Sequence, residues 1–124
     1  MNKSIQLNHL TVAELVERFL STTLAQYEAD LRFQISKYNQ LYRYMNDIRA
    51  ELKRRDGDQR RALLPLLNYD NAQVRLMTAS TLLVVAPELA KKALITVRDS
   101  QILPQSANAG MLLDGLEDGS FVPQ

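Results

Sequence analysis

His9 is the only histidine in this chain and there is no cysteine, which bounds at once the chemistry its side chains can perform. A lone imidazole with neither a second histidine nor a thiolate does not make a zinc site, and without sulfur there are no disulfides and no cysteine nucleophile. His9 also precedes the first helical pattern without the neighbours a general acid or base needs, which leaves it a surface or capping role. The closest carboxylate pair, Asp56 and Asp58, has the residue types of a glycosidase. These two flank Gly57 in a turn, however, and Asp58 is wanted as a helix cap. The 4 glycines form no G-x-G-x-x-G or Walker loop. Gly110 and Gly115 fall in or near a helix, where Gly110 is expected to permit close packing. The sequence thus predicts no enzyme, no cofactor and no metal.

Charge is the next candidate for function. Arg43, Arg49, Lys53, Arg54, Arg55, Arg60 and Arg61 gather in the middle of the chain, while Asp114, Glu117 and Asp118 leave its end acidic. With Tyr42 and Tyr44, the basic run could grip a nucleic-acid backbone. Asp47, Glu51, Asp56 and Asp58 are interleaved with it, and Glu51 with Arg55 has the favourable i,i+4 spacing of a helical ion pair. Mixed runs of this kind are more often solvated helix faces, with a protein-binding patch the next reading and a nucleic-acid site the third.

The elements that must position these residues are helical. Thr11 and Glu14 form a capping box, and Leu15, Val16, Phe19, Leu20, Leu24 and Tyr27 follow on one face, predicting a helix over 12–30. A second stripe, Tyr38, Leu41, Tyr42, Met45, Ile48 and Leu52, predicts a helix beginning between Leu31 and Ser36. No Gly or Pro marks the turn, so one long kinked helix is an alternative. Lys53, Arg54 and Arg55 suit the last turn and Gly57 the exit. Asp58 then caps a third helix over 59–67, bent or shortened by Pro65. Asn71 caps a fourth, reaching about Val85, and Pro87 opens a fifth that ends near Arg98. A sixth runs from Ser106 to Leu116 and ends at Gly119, with Phe121 and Val122 docking as an apolar tail. The fold class is all-α, about six helices in antiparallel hairpins.

A length of 124 residues fits one domain. Its expected parts are a long hairpin over 12–55, a second over 58–85, and a third with the tail over 87–118. Net charge of +1 predicts no strong global attraction to nucleic acid or acidic membranes. Met1 to Leu10 lacks the apolar core of a secretory signal, and runs such as Leu82 to Pro87 are too short to span a bilayer, so a cytoplasmic protein with no membrane partner is expected.

Displacing the chain on itself by about 30 positions aligns Leu63 with Ala93, Leu64 with Leu94, Leu67 with Val97, Ala79 with Ala109, Leu82 with Leu112 and Leu83 with Leu113, the mark of stacked helical hairpins. The stretch ALLPLLNYDNAQVRLMTASTLL resembles a HEAT repeat: a proline-interrupted helix, a polar turn, then Val-Arg and an Ala/Leu stripe. The resemblance implies a core role for Val74 and a ridge role for Arg75, bonded to a neighbouring turn. It fades in the next unit, where Pro104 and Gln105 replace Val-Arg. Over nearly its whole length the chain resembles the bacterial DUF2019 family through LTVAELVERF, KYNQLY, ELKRRDGDQRRALLPLL, NAQVRL, APELAKKAL and PQSANAGMLLDGLEDGSF. That resemblance implies no activity.

A short HEAT-like superhelix without catalytic groups points to a protein-protein interaction module. Because small bacterial helical-repeat proteins often resemble immunity proteins encoded beside secreted toxins, the resemblance implies the immunity or adaptor kind, with a toxin as the partner. The partner-binding candidates are Arg60, Arg61, Arg75 and Gln105, expected on an exposed ridge. The alternative is a nucleic-acid-binding protein using residues 43–61, and a third reading is a small-molecule pocket between hairpins. Oligomeric state is left open by the sequence.

Overall fold

The computed structural model describes residues 6–124. Part of the N-terminal stretch read above as lacking a leader's apolar core, residues 1–5, lies outside the described residues. From Val12 onward the chain forms six helices and no strand: α1 (Val12–Leu31), α2 (Ile35–Arg54), a 3-10 helix (Gln59–Asn68), α3 (Ala72–Leu82), α4 (Pro87–Asp99) and α5 (Gln105–Asp118). The contacts gather into two compact units, one ending at Ala62 and the other spanning Leu63–Gln124.

In the first unit α1 starts at the capping box. The Glu14 amide donates to the Thr11 hydroxyl at 3.1 Å, and the Thr11 amide donates to the Glu14 carboxylate at 2.9 Å. The helix ends in a Schellman turn. The Gln34 amide reaches the Ala29 carbonyl at 2.9 Å and the Phe33 amide that of Asp30 at 3.1 Å, with Phe33 left-handed at φ 56. Two separate helices therefore form, and α2 packs back along α1. The absence of glycine had hidden this turn, because here a phenylalanine occupies the left-handed position.

The buried stripe of α1 is not the one the apolar residues predict. Leu15, Phe19, Thr22, Thr23, Gln26 and Ala29 are buried, whereas Val16, Leu20, Leu24 and Tyr27 are only half-buried. Threonine is tolerated inside because its hydroxyl can bond the helix's own carbonyls: Thr23 donates to Phe19 and Leu20, each at 3.0 Å. Gln26 directs its amide at the Met45 sulfur, 3.4 Å away. Across from them, Met45, Ile48 and Leu52 of α2 complete the core with Leu7.

Gly57, at φ 77, makes the exit from α2, and the Asp58 amide closes that turn on the Arg55 carbonyl at 2.9 Å. The third helix is a 3-10 helix rather than the expected α-helix. Pro65 lies inside it and has no amide to give an α-helical ladder.

In the second unit the Asn71 side chain accepts from the amides of Gln73 and Val74 at 2.9 and 3.2 Å, capping α3 as expected. That helix is buried on nearly every side and packs against both α4 and α5, which also pack on each other. Pro87 stands in the first turn of α4, and Gly119, at φ 81, ends α5. Phe121 returns to the helix, its amide donating to the Gly115 carbonyl at 3.0 Å, but Val122 is exposed rather than docked. The glycine that permits close approach is Gly115 and not Gly110. A Cβ at Gly115 would sit 3.0 Å from that of Phe121, whereas one at Gly110 would meet the Arg98 side chain at an ordinary 3.8 Å.

Candidate functional site

Of the four residues expected on an exposed ridge, two are interior. Arg60 is 6 % exposed and makes a two-point ion pair with Asp58, Nε to Oδ1 at 2.9 Å and Nη2 to Oδ2 at 2.6 Å. The Arg60 hydrogen bonds hold the Asp58 carboxyl below its ordinary range, which makes it a poor proton donor. Gln105 is 1 % exposed and donates to the Gln73 side chain at 3.1 Å inside the second unit. Arg61 is exposed and Arg75 half-buried. The correction has a simple cause: an arginine two residues from an aspartate, beyond a left-handed turn, can fold back onto it and be covered.

The same holds for much of the basic middle. Glu51 is buried near the end of α2 and receives Arg54 at 2.6 Å together with the Nε of Arg55. Hydrogen bonding from Arg54, then from Arg55, outweighs burial and lowers its pKa. Arg55 goes on to donate to the carbonyls of Leu7 and Leu10 at 3.1 and 2.7 Å, and Arg54 to the Asn8 side chain at 2.6 Å. These two guanidiniums fasten the segment before α1 to the end of α2. Tyr44 is likewise engaged, its hydroxyl accepting from Arg18 of α1 at 2.9 Å.

Two features open to solvent stand out among the described residues. The first is the tip of the α1–α2 hairpin, where Leu31, Phe33 and Ile35 are 56 %, 89 % and 73 % exposed. An ion pair between Arg32 and Glu28 at 3.7 Å borders it. The sequence signal was present as L-x-F-x-I across a turn without Gly or Pro, but periodicity alone assigned these residues to no face.

The second is a groove of about 550 Å³ in the Leu63–Gln124 unit. Leu64 and Leu67 of the 3-10 helix and Leu89 of α4 give it apolar walls. Asn68, Arg75, Lys92 and Thr96 supply its polar lining, which among the described residues holds two cations and no carboxylate. Leu89, Lys92 and Thr96 follow helical spacing on one face of α4, while Ala90, Leu94 and Val97 face the core. The Nε of Arg75 is buried with no hydrogen-bond partner among the described residues. The HEAT resemblance implied a bond to a neighbouring turn for this residue, and at Nε there is none. Among the described residues no group of three His, Cys, Asp or Glu side chains could hold a metal ion, and no helix is long and apolar enough to cross a membrane.

A family model described as "Domain of unknown function (DUF2019)" matches residues 13–117. Among solved structures, the protein RPA1889 from Rhodopseudomonas palustris CGA009 superimposes with a TM-score of 0.93 at 47 % identity, over 95 % of this chain and 98 % of that one. No curated protein matches the chain.

Proposed function

We propose that this chain, which belongs to the DUF2019 family, is a non-enzymatic protein-interaction module of the immunity or adaptor kind, acting in the cytoplasm. The observation that carries this reading is Phe33. It is 89 % exposed at a backbone position, φ 56, that glycine would fill with less strain, and Leu31 and Ile35 stand exposed beside it. The turn needs the left-handed backbone but not an exposed aromatic side chain on it, while an aromatic centre with a charged rim is the common anatomy of a protein interface. The HEAT-like reading of the second unit draws support from Val74, fully buried in the Asn71-capped helix α3. Arg61 and Arg75 keep a place as accessible contacts; Arg60 and Gln105 do not.

The nucleic-acid alternative has less support, since Arg54, Arg55 and Arg60 bond within the protein. Co-purification of the tagged chain from its native host tests the proposal against a Phe33→Asp, Ile35→Asp double variant. The wild-type chain should retain a protein partner, a toxin being the first candidate, and the double variant should lose it at an unchanged circular dichroism spectrum. Equal retention by both chains, or no partner with either, would end the reading.

A further inference from the structure

We infer that the groove between the 3-10 helix and α4 binds a small amphipathic anion, a carboxylate or phosphate head joined to a short apolar tail. Arg75 figures in both readings, but the groove shares no residue with the hairpin tip that carries the protein-interaction proposal, so either can fail without the other.

Three observations converge on that ligand class. The first is the charge of the lining: among the described residues Arg75 and Lys92 are its only ionisable ones, and both are cations. Isolated surface lysines are commonplace, but two cations in one concavity with no carboxylate in the lining form a field that favours an anion. The second is Arg75 itself. Its Nε is buried and finds no acceptor among the described residues, and a buried donor left without an acceptor is costly. The guanidinium belongs to the groove lining, and a planar carboxylate or a phosphate oxygen pair can accept two of its N–H groups together. The third is the company these groups keep. Leu64, Leu67 and Leu89 place leucine side chains along the groove, suited to an alkyl tail and ill suited to a free inorganic ion. Its volume of about 550 Å³ is in the range of small-molecule sites. The head would meet Arg75 and Lys92, and the tail would lie on the leucines.

Calorimetric titration of the full chain with sodium octanoate and with octyl phosphate, using octanol as the uncharged control, tests the assignment. At least one anion should bind, and octanol should bind roughly tenfold more weakly or not at all. Octanoate alone would identify a carboxylate ligand and octyl phosphate alone a phosphoryl one; either outcome supports the proposal. Arg75→Gln should weaken binding by roughly tenfold or more. Lys92→Gln, at an exposed position that does not threaten folding, should weaken it several-fold and flatten its salt dependence. Failure of both anions to bind, equal binding of octanol, or affinity unchanged in the Lys92 variant would overturn the assignment. So would tighter binding of a short leucine-rich peptide through its free C-terminal carboxylate, which would give the groove to a protein partner.

Discussion

Glu51 shows how a single side chain can look like surface in the sequence and be interior in the protein. Its i,i+4 spacing to Arg55 predicted an exposed pair worth a few tenths of a kcal/mol. The carboxylate is instead buried, bonded to both Arg54 and Arg55, and its pKa is lowered. A depressed folded pKa means that the unfolded chain takes up the proton first on acidification. The stabilisation is therefore present at neutral pH and is lost as pH falls from the ordinary carboxylate range, about pH 4–5, through the folded value. Glu51→Gln should cost about 2 kcal/mol at pH 7. That deficit should shrink towards zero in urea titrations carried down to about pH 3. Phe33 gives the opposite kind of prediction. Replacing it with glycine relieves a left-handed conformation but loosens the unfolded chain, so the net gain in stability should stay below about 1 kcal/mol. The same substitution should abolish retention of the partner. A variant that is both more stable and still able to bind would show that the tip is not the docking point.

At the scale of elements, most ends were legible because their causes lie within a few residues. Thr11 with Glu14, Asn71, Pro87, Gly57 and Gly119 all act where the sequence places them. Besides α3, which stops at Leu82 short of the expected Val85, two misses have local causes of a subtler kind. Phe33 took a conformation that sequence reasoning reserves for glycine or asparagine, and Pro65 changed the type of its helix rather than only its length. Choosing between Gly110 and Gly115 needed the returning tail, since both lie in the same helix and only Gly115 has Phe121 against it. Gly115→Ala should gain about 1 kcal/mol of helix propensity, largely offset by the displaced tail. The global unfolding midpoint should thus move little, while hydrogen exchange at the Phe121 amide accelerates. Unchanged exchange there would mean that the tail accommodates the added methyl group without leaving α5.

For the whole molecule, net charge is a weaker guide than where the charges end. The chain carries +1 overall, and its basic middle suggested a nucleic-acid backbone. Three of those arginines instead bond to Glu51, to Asp58 and to the segment before α1, and ion pairs already made inside the protein release no counterions from DNA. An electrophoretic shift assay at low salt should accordingly show no complex with duplex DNA or single-stranded RNA. A shift that weakens steeply with added salt would restore that alternative. What the sequence by itself determined was the all-α class, the family and nearly every helix end, because capping bonds, proline and glycine act over three or four residues. What only the tertiary structure decided was which face of each helix is buried and which charges are spent. Arg55 meets the carbonyl of Leu7 across 48 positions, and Gln105 meets Gln73 across 32. Burial depends on what arrives from the other helices, and no local pattern in the chain encodes that.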